Sequence, residues 1–164
     1  CFVYLKGPRA GHGSSMPSAL LDQVNCQYEP HVLALRTNQP LVIRSSDATL
    51  HDVHVQSQIN GTANYAMTHA GQECTTHFAY PEIFRIGCDV HPWMTAWVGV
   101  FDNPWFAVSD SSGHFEIKNI PAGKYTMILW QERLGQQQRA ITLAEHQALN
   151  VDLSYDPGAS LAGN

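Results

Sequence analysis

The sequence predicts an all-β protein, a Greek-key β-sandwich followed by a second, smaller β-sandwich. Three observations indicate this fold class. Strand-like segments recur at spacings of about ten residues, turn signals separate them, and no stretch carries an apolar period of helical length. The length of 164 residues suits one domain of ordinary size or two small ones.

The strand-like segments of the first part follow one another closely. They are residues 3–7, two strands within 27–46 around a Thr-Asn-Gln turn, residues 50–57, two strands within 73–88, and residues 95–101. Glycine, serine and proline mark residues 7–19 as a loop, and residues 60–67 are predicted as turn and loop. This part, residues 20–101, is predicted as the first domain.

A second β unit is predicted over residues 102–155. Its expected strands lie at Phe115–Ile117, at Tyr125–Leu129, and within the stretches QQRAITL and ALNVDLSY. The turn Ile120-Pro121-Ala122-Gly123-Lys124-Tyr125 and the preceding Ser-Asp…Gly-x-Phe stretch resemble the transthyretin-like, or carboxypeptidase regulatory-like, module. The segment is short for that module, so residues 2–7 are expected to supply its missing strand. Residues 156–164 are expected to form a tail.

Composition excludes several classes of partner. Charged residues make up only 14% of the chain and the net charge is −5, so no basic cluster is available to neutralise nucleic-acid phosphates. No apolar run is long enough to span a membrane. The sequence starts at Cys1, as a processed lipoprotein would, which predicts a lipid anchor there; the alternative is a boundary without meaning.

The stretch CDVHPWM, residues 88–94, concentrates metal-binding side chains. Cys88 offers a thiolate, His91 an imidazole and Met94 a thioether, at equal spacings. One cysteine, two histidines and a weak methionine form the ligand set of a mononuclear copper site that cycles between Cu(I) and Cu(II). The second histidine is His51 or His54, which face opposite sides of a strand. Zinc, or packing without metal, is the alternative.

The combination of LHDVHV with CDVHPWM resembles amicyanin, a small blue copper protein of the cupredoxin family, over about residues 26–101. The resemblance implies the ligands His51, Cys88, His91 and Met94. It leaves His54 as a non-ligand. Asp52 stands where that family has an asparagine that ties the ligand loops together, and its charge is expected to favour Cu(II). Cys26 is expected near the metal, or as a buried thiol or half of a disulfide with Cys1 or Cys74.

These residues predict an electron-transfer protein with a type 1 copper site, and not an enzyme, because no acid–base pair accompanies the site. The resemblance implies that His91 reaches the surface within an apolar rim of Pro92, Trp93 and Met67, which would dock transiently to a redox partner. Copper–thiolate chemistry predicts a periplasmic or other extracytoplasmic location. The alternatives are an extrinsic structural subunit of a membrane electron-transfer complex, and copper binding for delivery.

Overall fold

A computed structural model describes residues 1–7 and 16–155, and within those ranges the chain forms thirteen β-strands and no helix. The prediction of an all-β protein is confirmed. In the same ranges no helix is long and apolar enough to cross a membrane. The expected tail, residues 156–164, and most of the expected loop 7–19 lie outside the described residues.

The strands are short and follow in chain order. They are β1 (Phe2–Lys6), β2 (Ala19–Val24), β3 (Gln27–Glu29), β4 (Val32–Arg36), β5 (Leu41–Ser45), β6 (His51–Gln56), β7 (Thr62–Met67), β8 (Glu73–Thr76), β9 (Glu82–Gly87), β10 (Thr95–Phe101), β11 (Phe106–Val108), β12 (Gly123–Gln131) and β13 (Gly135–Leu143). The described residues fall into two compact units, one of residues 16–104 and one of residues 1–7 with 105–155.

The larger unit is a sandwich of two sheets. One sheet has the strand order β4-β10-β9-β6-β7 and the other β3-β2-β5-β8. Leu21 and Ile43 from the second sheet join Val53, Ile86 and Val98 from the first in one apolar cluster, and each of these side chains is fully buried. Burying the inner faces of both sheets against each other is what stabilises such a sandwich.

Antiparallel pairing brings the predicted ligand segments to one end of this sandwich. Strand β6 begins at His51, and β9 ends at Gly87, immediately before Cys88. The two strands pair with His54 opposite Gly87, so the start of β6 and the end of β9 lie at the same end of the sandwich. The loop 88–94 then leads into β10, which pairs with β9.

Three local predictions for this unit were wrong or incomplete. Residues 60–67, predicted as turn and loop, contain β7, an edge strand whose small and polar side chains hide the alternation of a strand. The segment 27–46 contains three strands, β3, β4 and β5, where two were expected. Strand β2 was not predicted at all, although three of its six side chains are buried.

The smaller unit is a sheet in the order β11-β1-β12-β13. Residue Val3 of β1 lies opposite Leu129 of β12, and both belong to the core cluster of this unit. The Tyr125 hydroxyl donates to the Pro121 carbonyl at 2.9 Å and closes the Pro-Ala-Gly turn. A Cβ at Gly7 would lie 2.3 Å from the Tyr125 ring, so only glycine fits there. Residues 115–117 and 148–155 are not strands, contrary to expectation.

Glu82 organises the turn after β6, and its removal should destabilise the larger unit. Its carboxylate accepts hydrogen bonds from the Ser57 hydroxyl, the Asn60 side chain and the backbone amides of residues 58–60. Burial alone would raise the pKa of Glu82, but these hydrogen bonds outweigh it and lower the pKa below its usual range. We expect Glu82→Gln to reduce the free energy of unfolding by about 1–3 kcal/mol at pH 7.

The stabilisation by Glu82 should depend on pH. Because the folded-state pKa of Glu82 is lowered, its contribution is complete above the unfolded pKa and is lost as the pH falls through the folded pKa. Urea unfolding of the wild type and Glu82→Gln at pH 7 and at acidic pH should therefore give a difference that shrinks in acid. Glu29→Gln, at an exposed carboxylate on β3, serves as the control. A difference that is independent of pH would contradict the assignment.

Candidate metal centre

Three of the four predicted ligands meet at the end of the sandwich where β6 begins and β9 ends. The Nδ1 atoms of His51 and His91 lie 3.0 Å apart, and the Sγ of Cys88 lies 3.8 Å from Nδ1 of His91. The backbone amide of His91 also donates to Sγ of Cys88 at 3.3 Å. Strand β6 positions the first histidine, and the loop after β9 positions the cysteine and the second histidine.

His51 is oriented from behind by a carboxylate. Its Nε2 lies 2.9 Å from Oδ2 of Asp47, four residues earlier, and the ring is fully buried. Burial raises the pKa of Asp47, but hydrogen bonds from the Cys26 amide, the His51 ring and the Asn25 amide lower it overall. An ionised carboxylate only accepts hydrogen bonds, so Nε2 carries the ring proton and Nδ1 presents its lone pair. Carboxylates orient metal-binding histidines in this way.

Asp47 was not predicted, although an acidic residue one short loop before a candidate histidine is a signal that could have found it. Its two oxygens also accept the amides of Asn25 and Cys26, each at 2.8 Å. The same carboxylate therefore fixes His51 and the hairpin between β2 and β3.

Asp52 ties the two ligand segments together through its backbone and its side chain. Its Oδ1 accepts the amide of Asp89 at 2.6 Å and that of Val90 at 3.4 Å, both in the loop that carries Cys88. Burial raises the pKa of Asp52, but its hydrogen bonds lower it below the usual range, so the side chain is ionised. The aspartate thus keeps the accepting role expected of an asparagine there, while Oδ2 is buried without a hydrogen-bond partner.

A buried tyrosine links the same two segments from inside the sandwich. The hydroxyl of Tyr28 lies 2.7 Å from the carbonyl of Asp52 and 2.9 Å from that of Gly87, the residues that follow His51 and precede Cys88. Nε2 of Gln23 donates to the tyrosine oxygen at 3.2 Å. Burial raises the pKa of Tyr28, so the hydroxyl keeps its proton and can donate. These contacts hold the spacing between β6 and β9 at the site.

The thiol of Cys88 is buried, with 4% of its surface exposed. Burial raises its pKa above the usual range. A thiol in this setting stays protonated until a metal ion replaces the proton, because the thiolate is the form that binds metal.

Met94 lies where the loop enters β10, is 1% exposed, and donates its amide to the carbonyl of His91. Its role as the fourth ligand stays a prediction. Met67, expected in an exposed rim, is fully buried on β7 directly opposite His51, so that part of the expected rim was wrong. Trp93, expected in the same rim, is 68% exposed, and its ring lies 5.1 Å from that of His91.

His54 lies away from the other donors. On β6 the fully buried His51 shares a face with Val53 and Val55, whereas His54 is half-buried on the other face and its Nδ1 lies 2.9 Å from Oδ1 of Asp89. Cys26, by contrast, lies close to two of the predicted ligands. Its Sγ and one ring nitrogen each of His51 and His91 all lie within 4.8 Å of one another.

This donor set fits a metal ion. Two imidazole nitrogens that bind one ion at about 2.0–2.1 Å lie roughly 3–4 Å apart, which matches the separation of 3.0 Å between the two Nδ1 atoms. Structural zinc sites favour closely paired cysteines, whereas a thiolate, two imidazoles and a weak thioether such as that of the buried Met94 suit copper. All four cysteines of the chain are free thiols, so the alternative of a disulfide from Cys26 to Cys1 or Cys74 is not realised and Cys88 is available.

Comparison with known proteins gives one family-model match and a group of similar solved structures. Residues 102–151 match the family model of polysaccharide lyase family 4, domain II. This model differs from the transthyretin-like module that the sequence of this segment resembles. No curated protein sequence matches the chain significantly.

Solved structures of amicyanin are similar to part of the chain. Amicyanin from Paracoccus versutus (Thiobacillus versutus) is 17% identical, with 51% of this chain and 81% of that chain covered and a TM-score of 0.46. The reduced Cu(I) form of an amicyanin variant is 20% identical over 56% and 86%, with a TM-score of 0.46. An oxidised amicyanin variant is 18% identical over 60% and 99%, with a TM-score of 0.48.

The different positions of the two histidines on β6 lead to opposite expectations for their variants. His51→Ala should weaken copper binding by at least about 10–100-fold, because it removes a donor and leaves Asp47 without its partner. His54→Ala should leave copper affinity and the visible spectrum nearly unchanged. Titration with a competing chelator measures both. Bleaching by His54→Ala alone would show that the assignment of faces is wrong.

Proposed function

We propose that the larger unit is an electron carrier with one mononuclear type 1 copper site, held by His51, Cys88, His91 and Met94. The observation that carries this proposal is that Nδ1 of His91 lies 3.0 Å from Nδ1 of His51 and 3.8 Å from the buried sulfur of Cys88. When bound, copper would supply one-electron redox chemistry between Cu(I) and Cu(II).

The rigidity of the donors supports electron transfer over catalysis. Asp47 fixes the ring of His51, while Tyr28 and Asp52 link the two ligand segments through hydrogen bonds. Donors that are held in place change little between oxidation states, and small rearrangement makes electron transfer fast. Neither Asp47 nor Asp52 is placed as a general acid, since each is engaged by backbone amides and has a lowered pKa.

The surface over His91 supports docking to a redox protein. His91 is partly exposed, and beside it in the loop Val90 and Trp93 are 45% and 68% exposed, with Pro92 exposed between them. Leu50, which precedes His51, is 49% exposed. An apolar patch of this kind, with few charges to hold a partner, suits brief encounters. It differs from the rim expected from sequence, because Met67 takes no part.

We further propose an extracytoplasmic location, because the thiols of a reducing cytosol would compete with the protein for copper at a copper–thiolate centre. Docking to a membrane electron-transfer complex stays a prediction. We also propose that residues 102–155 form a transthyretin-like module, in addition to their match with polysaccharide lyase family 4, domain II.

Metal loading and electrochemistry test the function. We expect the protein to bind one copper ion, to show a strong thiolate-to-copper(II) band, and to give a reversible one-electron wave. The reduced protein should pass its electron rapidly to an oxidised small redox protein. Preferential and tight binding of zinc, or bound Cu(II) without the thiolate band, would overturn the proposal, since Cys26 and Cys88 with two histidines also match a zinc ligand set.

A further inference from the structure

Cys26 is a second sulfur beside the histidine pair, outside the ligand set proposed above. Its Sγ, one ring nitrogen of His51 and one ring nitrogen of His91 lie within 4.8 Å of one another. It is a free, half-buried thiol on the sheet opposite to β6 and β9. His51 and His91 thus have two cysteines beside them, Cys26 from the turn between β2 and β3 and Cys88 from the loop after β9.

The backbone around Cys26 indicates that its side chain is needed there. Val24 and Gln27 pair across a two-residue turn, and the turn residues Asn25 and Cys26 have φ values of 53° and 54°. Such a turn favours asparagine followed by glycine, because both central residues need positive φ. Cysteine at the second position is strained relative to glycine, so the turn alone does not explain it.

The same groups that orient the histidines hold Cys26. Its amide donates to Asp47 at 2.8 Å, and Asp47 also accepts from His51. Its carbonyl accepts from Nε1 of Trp93 at 3.1 Å, and the Trp93 ring lies beside His91. Cys26 is therefore fixed relative to both imidazoles by two separate connections.

We propose that Cys26, His51 and His91 form a second, overlapping site for Cu(I), which takes up the ion from solvent before Cys88 does. This proposal rests on the proposed function and names how the same centre is loaded. Cu(I) favours soft thiolate and imidazole ligands. Cys26 is half-buried, whereas Cys88 is only 4% exposed and His51 not at all, so an ion arriving from solvent meets Cys26 first.

Loading through this site needs no oxidant or reductant. Uptake forms a bond between Cys26 Sγ and Cu(I), and the thiol proton of Cys26 goes to water. Transfer forms the bond to Cys88 Sγ and breaks the bond to Cys26 Sγ. The Cys88 proton is then given up, and Cys26 takes a proton back from water. His51 and His91 serve both sites, so the net change is one proton released for each ion.

Cu(I) binding without Cys88 gives the decisive test. Full-length apo protein is kept anaerobic, and Cu(I) is supplied as its complex with a chromophoric chelator. Cys88→Ser should still take Cu(I) from the chelator, and the bound ion should protect Cys26 from iodoacetamide in peptide-resolved mass spectra. Adding Cys26→Ser to that variant should lower Cu(I) affinity by at least about tenfold. Adding Cys74→Ser instead, at another half-buried cysteine, should not.

The wild-type background tests the order of events. Cys26→Ser should reach the same final copper content as the wild type and keep the thiolate-to-copper(II) band, but it should load more slowly. The proposal is wrong if Cu(I) leaves the alkylation rate of Cys26 unchanged in Cys88→Ser and the added Cys26→Ser has no effect on affinity. The proposed function fails by a separate measure, the absence of the thiolate band in copper(II)-loaded wild type.

Discussion

Cys88→Ser is expected to abolish the strong visible band of the copper(II)-loaded protein. That band needs a thiolate bound to copper, and a serine hydroxyl does not replace it. The sulfur of Cys88 lies 3.8 Å from Nδ1 of His91, and only 4% of the Cys88 surface is exposed. Absorption spectra of matched protein concentrations measure the loss, and copper content measured in parallel shows whether the ion is still bound.

The other cysteines provide the control and the opposing outcome. Cys74→Ser, at a half-buried thiol on β8, should leave the band unchanged. Any weaker and shifted band left in Cys88→Ser should disappear when Cys26→Ser is added, because Cys26 is then the remaining sulfur beside the two histidines. Loss of the wild-type band in Cys26→Ser and its survival in Cys88→Ser would mean that Cys26 is the principal thiolate and that the loop assignment is wrong.

The ligand loop was predictable because its chemistry is local. Cys88, His91 and Met94 stand within seven residues, and the strands on either side of the loop have clear apolar alternation. His51 was harder to predict as the second histidine ligand, because β6 carries two histidines that point to opposite faces of the strand. The burial of Val53 and Val55 beside His51 makes that choice in the folded chain, and the sequence resemblance had anticipated it.

The remaining parts of the site come from residues far apart in the chain. Asp47 and Cys26 are joined by a hydrogen bond that depends on β2, β3 and the β5–β6 connection meeting at one end of the sandwich. Tyr28 reaches the carbonyls of Asp52 and Gly87 only because the two sheets pack face to face. No spacing in the sequence records such contacts, so the sequence pattern predicts candidate donors but not the residues that orient them.

Two errors in the fold arise because side-chain pattern and backbone pairing are separate properties. Strand β7 pairs on one side only, with β6, and its exposed positions carry threonine, asparagine and alanine, which also suit loops. In the smaller unit, Phe115 and Ile117 pack against the core without joining a sheet, although their alternation is that of a strand. Alternation records which side chains are buried, and it does not record whether the backbone is paired.

Substitution of Met94 should move the reduction potential in opposite directions depending on the new side chain. Met94 is 1% exposed at the end of the ligand loop, and its amide is fixed to the carbonyl of His91, so no other side chain of the loop can easily replace it. Type 1 copper sites tune their potential through a weak axial donor. An amide oxygen is harder than a thioether and favours Cu(II), so Met94→Gln should keep copper and lower the potential.

Met94→Leu removes the donor without adding a harder one, so Cu(I) gains relative to Cu(II) and the potential should rise. A shift of roughly 59 mV corresponds to a tenfold change in the relative affinity for the two oxidation states, and we expect at least that in each direction. Voltammetry of both variants measures it. Met67→Leu is the matched control, because Met67 is an equally buried methionine opposite His51 but is not a predicted ligand. Potentials that move the same way in both Met94 variants, or a larger shift in Met67→Leu, would show that the axial position belongs to another residue.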